Sequence, residues 1–206
     1  KTTCAQSSFY VGTITHRPWR MVQMKPEHAD WHAWPAGVPK NIYTMHAPFG
    51  TAYQAASPPS FIAPLWTSLN PGFSFSVFND IQCRRFILKH YGNEMATIYD
   101  RIPPSPIRSD FWRVLLLLQR GGVYVDVDLE PLAALQRFVK PTDTFVTSTS
   151  KYRAMANPNF IVARAGDPLL NSTLQYMIKA MQRPYDYFRW SVCQAGNVPG
   201  TKRSAW

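Results

Sequence analysis

The chain is poor in cysteine, in acidic residues and in long apolar runs, and each shortage excludes a class of protein. Three cysteines in 206 residues, Cys4, Cys83 and Cys193, are too few and too widely spaced for a zinc site or a disulfide scaffold. One bridge with one thiol left over, or buried free thiols, are the readings that remain, and the redox compartment stays open. The longest uninterrupted apolar run is Val114 to Leu118, against the roughly 20 residues that a membrane span needs. The opening KTTCAQSSFYVG has no apolar core of the kind a secretory leader carries. Its first residue is Lys, which suits a trimmed domain. Nor is there an internal repeat or a low-complexity tract.

Acidic residues number 12 against 22 Lys and Arg, a formal charge of +10. Such an excess favours anionic partners, whether nucleic acid, membrane or a phosphate-bearing ligand. The basic residues are scattered, however, so the same charge also fits a merely solubilising role. Hydrophobic residues make up 46% and charged residues 17%, enough apolar material for a sizeable core and too much for wholesale disorder. The length suits one compact domain.

Residues 1–37 hold His16, His28, His32, Trp19, Trp31 and Trp34 with no sustained periodicity, and read as an irregular or packed extension. His28 and His32 have helical spacing, but Glu27 and Asp30 complete no ligand pattern, so solvated histidines are favoured. The domain proper is expected over 38–206. Asn41–Met45 reads as a strand, 47–60 as a loop, and Phe61–Leu69 as a helix stopped by Asn70-Pro71-Gly72. Phe73, Phe75 and Val77 alternate with serines as in a strand with one buried face. Asp80 is expected to cap a helix to about Tyr91, ended by Gly92-Asn93, with a shorter helix over Glu94–Tyr99.

Ser105 as N-cap and Pro106 at the first helical position open the next helix. Its apolar stripe runs through Ile107, Phe111, Val114, Leu115 and Leu118 until Gly121-Gly122 stops it. Val123–Asp128 then reads as a strand with Val123, Val125 and Val127 on one face and Tyr124, Asp126 and Asp128 on the other. One or two helical turns are expected within Leu132–Val139, strands over Thr144–Ser148 and Phe160–Arg164, and a helix over Pro168–Gln182. Strands alternating with helices predict an α/β sandwich with a mainly parallel sheet.

Two aspartates on one strand, two residues apart, would face the same way at a separation of about 6–7 Å. Leaving water together costs several kcal/mol per carboxylate unless a cation neutralises them. Hard oxygen donors in so small a number suit Mg²⁺ or Mn²⁺, with water and phosphate oxygens completing the shell. The carboxyl edge of an open α/β sheet is also where ligands bind. Asp110 and Arg113, at i,i+3 on the preceding helix, share a flank that can reach the same place; a simple intrahelical ion pair is the alternative.

The block SDFWRVLLLLQRGGVYVDVDLEPL, Ser109 to Leu132, resembles the DXD-containing sugar-transferase family that includes fungal initiating α-mannosyltransferases and animal α-galactosyltransferases. It is also similar to the catalytic cores of clostridial glucosylating toxins. Asp-x-x-Arg followed by Gly-Gly-x-Tyr-x-Asp-x-Asp carries the likeness, with VPKNIY and WTSLNPGFSFSVFND upstream and NPNFIVARAGDPLL downstream. The resemblance implies a GT-A type fold and Mn²⁺- or Mg²⁺-dependent transfer of a hexose, with retention, from a UDP- or GDP-sugar. The acceptor would be a glycan, a lipid-linked group or a protein, with no nucleic acid involved. It implies metal contact by Asp128 and by Asp126, which would also meet the ribose. Asp110 and Arg113 would hold the sugar and diphosphate, Tyr124 would line the nucleotide site, and Asn159 would contact the donor. A trimmed Golgi-lumenal domain and a cytoplasmic or membrane-associated enzyme both fit.

This chain departs from the family at Met45-His46, where members carry a base-stacking aromatic ring. It departs again in its short C-terminal segment, where Ser204 and Trp206 stand nearest to the family's last element. Two rivals belong to other classes. A Mg²⁺-dependent phosphohydrolase would use the same Asp pair, but haloacid-type phosphatases place Asp-x-Asp-x-Thr/Val near the start of the domain. A basic nucleic-acid-binding module would stack bases on Tyr187, Phe188 and Trp190 beside Arg183 and Arg189, though no nucleic-acid motif is present.

Overall fold

The computed structural model describes residues 11–13, 33–46, 62–103, 106–149 and 156–182. The His28–His32 spacing, the Ser105 cap, Cys4, Cys193, the 47–60 loop, the Tyr187–Trp190 aromatics and the Ser204–Trp206 element lie outside the described residues.

Strand β2 covers Asn41–Met45, helix α1 Ile62–Leu69, and β3 Ser74–Phe78. Helix α2 runs from Asp80 to Arg101 and breaks at Gly92, whose φ of 80° is not helical. The expected stop at Gly92-Asn93 is therefore real, and the two halves are joined by Arg84 gripping Asp100 through both oxygens. Asn79, rather than Asp80, is the N-cap: its side chain accepts from the Gln82 amide while Gln82 returns the bond. Asp80 instead points inward, taking hydrogen bonds from the Tyr99 hydroxyl at 2.6 Å and from Arg108 at 2.9 Å. Helix α3 is Pro106–Arg120, β4 Gly122–Val125, β5 Phe145–Thr149, β6 Ala156–Ala163 and α4 Pro168–Gln182. A single 3-10 turn, Leu135–Arg137, stands where one or two helical turns were expected.

A short strand β1, Val11–Thr13, completes a six-stranded sheet of order β1-β5-β6-β4-β2-β3. Part of the 1–37 stretch thus joins the sheet edge. Strands β3, β2 and β4 are parallel neighbours, β6 is antiparallel to both β4 and β5, and β1 is antiparallel to β5. Four strands consequently point one way, as a mainly parallel α/β sheet requires, and the reversed β6 is inserted between two of them.

Alternation along the strands builds two cores. Tyr43, Tyr124, Phe145 and Ile161 meet α2, α3 and α4 on one face. Ile42, Val123, Val125, Val146 and Val162 meet Ile62 and Trp66 of α1 and Leu135 on the other. Because both faces are covered, β4 is buried along its whole length. Helix α3 is buried from Asp110 to Leu117, since it lies between sheet and helices and not at a surface. Among the described residues no helix is long and apolar enough to cross a membrane.

The turn between α3 and β4 has no room for side chains. Gly122 has a φ of 107°, and a Cβ there would lie 2.7 Å from the Asn41 carbonyl oxygen. Gly72 has a φ of 85° but nothing within 4 Å. Gly122→Ala should therefore cost on the order of 2–5 kcal/mol, strain plus overlap, and Gly72→Ala only about 1–2 kcal/mol. Urea unfolding of the two variants checks this order, and equal losses would contradict it.

Candidate active site at the carboxyl edge of β4

The ends of β2, β3 and β4 lie along one edge of the sheet, with Met45 opposite Phe78 and Tyr43 opposite Tyr124. Strand β4 ends at Val125, sooner than expected. Asp126 still donates its amide to the Asn159 carbonyl at 2.8 Å, but the Leu129 amide then bonds back to the Asp126 carbonyl at 3.0 Å. Asp126 to Leu129 is therefore a turn, with Val127 and Asp128 at its corner. The two carboxylates do not share a strand face: Asp126 opens the turn and Asp128 stands at its corner, while Val127 and Leu129 pack against the core that contains Ile62 and Trp66 of α1. Asp128 is exposed and Asp126 partly so, and they are near enough for Asp128 to raise the pKa of Asp126.

Arg113 organises what lies beneath. Only 3% exposed, it sends Nη2 to Asp110 and to Asp126, each at 3.0 Å. Its Nη1 donates to the Pro158 carbonyl oxygen. Its guanidinium carbon lies 4.3 Å from the centre of the Tyr124 ring. Tyr124, fully buried, donates its hydroxyl hydrogen to Asp126 Oδ1 at 3.0 Å and shares a 2.9 Å hydrogen bond with Ser109 Oγ. Ser109 Oγ also accepts from Arg113 Nη2 at 3.2 Å. Helical periodicity explains this meeting: positions 109, 110 and 113 lie on one flank of α3, and that flank faces the end of β4.

Asp126 Oδ1 is thus fixed from two sides, and Oδ2 has no hydrogen-bond partner among the described residues. Burial pushes the pKa of Asp110 and of Asp126 up; Arg113 pulls both back without cancelling the shift. Burial likewise raises Tyr124, which stays a protonated donor at neutral pH. Asn159 is half-buried on β6, its amide oxygen accepting from Ser148 Oγ while its backbone carbonyl pairs with Asp126.

All of Asp110, Arg113, Tyr124, Asp126, Asp128 and Asn159 therefore lie at this edge. They are not equally accessible. Tyr124 is buried and bonded to Asp126 and Ser109, and Arg113 spends Nη2 on Asp110, Asp126 and Ser109, while its Nη1 meets a single acceptor, the Pro158 carbonyl, among the described residues. Motif reading missed Ser109, whose i,i+4 relation to Arg113 was the available signal.

Residues 62–150 match the family model described as "Glycosyltransferase sugar-binding region containing DXD motif". The match runs from α1 through β5 and bears out the resemblance carried by Ser109–Leu132. Among curated proteins the chain is 23% identical over 176 residues to the initiation-specific alpha-1,6-mannosyltransferase of Schizosaccharomyces pombe. That alignment covers 79% of this chain and 41% of the yeast protein. With the Candida albicans protein of the same name it is 27% identical over 141 residues, covering 67% and 32%. The chain thus spans less than half the length of these relatives. A solved structure, the PaToxG glycosyltransferase, aligns over 71% of this chain and 62% of its own, with 14% identity and a TM-score of 0.47.

The raised pKa of Asp110 has a consequence for stability. In the window between the unfolded value, about 3.9, and the raised folded value, the native state holds more protons than the unfolded chain. Stability then falls as pH rises through that window and levels off above it. Relative to the native protein, Asp110→Asn should gain in melting temperature as pH is raised from 4 to 7. A steady or opposite difference would mean that Arg113, and not burial, dominates at this carboxylate.

Proposed function

We propose that this chain carries the catalytic core of a metal-dependent glycosyltransferase. It would move a hexose from a UDP- or GDP-sugar to a hydroxyl acceptor on a glycan, lipid-linked group or protein. The supporting observation is the fixed Asp126 carboxylate, one oxygen held and one open, beside the exposed Asp128 at the carboxyl edge of the sheet. The matched family region and the mannosyltransferases so named among the relatives support the same reading. Retention at the anomeric carbon, which the resemblance implies, is part of the proposal.

The donor set fits a divalent cation of the Mg²⁺ or Mn²⁺ kind. Two carboxylates are available, and no group of three or more His, Cys, Asp or Glu able to hold a metal occurs among the described residues. A cage of protein ligands, as zinc demands, is therefore not what these residues offer. Magnesium-type ions take one or two carboxylates and leave the other positions to water and phosphate. Asp126 and Asp128 would hold the ion, which when bound supplies charge neutralisation for a departing diphosphate. Arg113 aims Asp126 and opposes the upward pull of burial on its pKa; Tyr124 and Ser109 hold Arg113 and the carboxylate in register. Asp110, paired to the same guanidinium, would hold the sugar of the donor. Asn159 closes the site on the β6 side.

Asp128 is exposed at a turn, so its removal should leave stability within about 0.5 kcal/mol. Asp128→Ala should fold normally yet lose Mn²⁺-dependent thermal stabilisation by UDP- and GDP-sugars, together with sugar transfer. Unchanged stabilisation or turnover in that variant would reject the assignment. Release of inorganic phosphate from simple esters, without transfer, would favour a phosphohydrolase instead.

A further inference from the structure

The acidic turn is held from its polar side by Arg113 and Tyr124. On its other side the backbone is tied to α1. The buried Trp66 indole donates its N–H to the carbonyl of Leu129 at 3.1 Å. Leu129 is the residue whose amide closes the turn on Asp126. One turn of helix further on, Asn70 is 3% exposed and accepts the Leu135 amide on Oδ1 at 2.7 Å. Its Nδ2 donates to the Trp66 carbonyl at 2.9 Å. Both ends of the segment 129–135 are therefore pinned to the same short helix.

We propose that Trp66 and Asn70 are positioning residues for the carboxylate pair, with α1 acting as a strut that fixes where Asp128 stands. This rests on the reading of Asp126 and Asp128 as metal-holding residues. Asp126 is located by its own hydrogen bonds, but Asp128 has none among the described residues and sits at the corner of the turn. Its place in space is set by the backbone on either side. Upstream, that backbone is tied to β6 through the Asp126 amide. Downstream, the next backbone atom held by a side chain is the Leu129 carbonyl, held by Trp66. An ion held by Asp126 and Asp128 together, as proposed above, would need both in place, so freedom in this carbonyl would be freedom in the second ligand. Supporting groups of this kind typically change metal affinity by tenfold or more when lost.

A core tryptophan that merely satisfies its own N–H would behave differently, and the chain contains the control. Trp34 is half-buried, stacks edge-on against Phe73, and donates its indole N–H to the Val38 carbonyl at 2.7 Å, near the opposite end of β2. Trp66→Phe and Trp34→Phe each keep an aromatic ring and lose one indole-to-carbonyl hydrogen bond. Binding of Mn²⁺ alone is read from the paramagnetic resonance signal of the free ion, and hydrogen exchange of the Leu129 amide is followed in the same proteins. Trp66→Phe should weaken Mn²⁺ affinity on the order of tenfold, lower kcat more than it raises donor KM, and speed Leu129 exchange. Trp34→Phe should leave all three near the native values, whatever its melting temperature. Equal Mn²⁺ affinity in the two variants, or unchanged Leu129 exchange in Trp66→Phe, would overturn the strut. Failure of the native protein to bind Mn²⁺ at all would instead overturn the metal assignment beneath it. Should Trp66→Phe not fold, Leu129 exchange in Asn70→Ala decides the matter, with acceleration supporting the strut and none refuting it.

Discussion

The site is organised around one buried guanidinium. Arg113 leaves water almost completely, a loss of several kcal/mol for an unpaired charge. That loss is offset only because Asp110, Asp126, the Pro158 carbonyl and the Tyr124 ring all converge on it. Removing one partner would strand the others, so the arrangement is all or nothing. An apolar cluster of the same volume would be as stable or more so. What it could not do is aim a carboxylate. Arg113 joins α3, β4 and β6, and the three elements meet with the orientation of Asp126 as the result.

From this constraint the alternation of the segment that follows makes sense. In Asp126-Val127-Asp128-Leu129 the first acid turns to Arg113 and Tyr124 and the second is exposed, while the apolar residues pack against the core that contains Ile62 and Trp66 of α1. The polar side of the turn is fixed by α3 and the apolar side by α1, so the turn is gripped from both faces of the sheet. A loop carrying two carboxylates would otherwise move them apart, because like charges repel and exposed backbone has little to hold it. The tight Gly121-Gly122 connection belongs to the same design. It brings β4 back along α3 at once, so that the start of the helix, with Ser109 and Asp110, lies beside the end of the strand.

Much of this was legible in the sequence, for local reasons. Asn41–Met45 and Pro168–Gln182 have clean periodicity and clear punctuation, and the structure gives both the expected bounds. Glycine at 92, 121 and 122 marked real breaks. The block Ser109–Leu132 placed every acid and base of the site at one edge. What escaped was decided by partners distant in the chain. Alternation through Val127 looked like continued strand, yet the Leu129 amide turned back to Asp126; β6 runs on to Ala156, but there it pairs with β5, and the Asn157 carbonyl accepts from the Thr147 and Ser148 hydroxyls. Asp80 had the identity of a cap, but Arg108 and Tyr99 draw it inward and Asn79 caps instead. The burial of Arg113 was equally invisible, since i,i+3 spacing from Asp110 is the same for a solvated ion pair and for a sequestered one. Trp66 and Asn70 gave no sign, because their partners are backbone groups more than 60 residues away.

The net charge of +10 turns out to be a poor guide to the site. At this edge stand Asp110, Asp126 and Asp128 with one guanidinium, Arg113, paired to the first two, so these groups together sum to a negative charge in a strongly basic chain. A nucleotide diphosphate is itself an anion, and it cannot approach three carboxylates unless positive charge comes with it. Arg113 offsets only part of that charge, for it is already paired with Asp110 and Asp126. Surface lysines and arginines farther away than a Debye length, about 8 Å at physiological salt, are largely screened. The divalent ion proposed above would remove the conflict, held by Asp128 and by Asp126, one of whose oxygens the protein leaves open. On this view the buried arginine and the proposed metal divide the work. The arginine fixes the acid in place, and the ion allows a second anion to meet it.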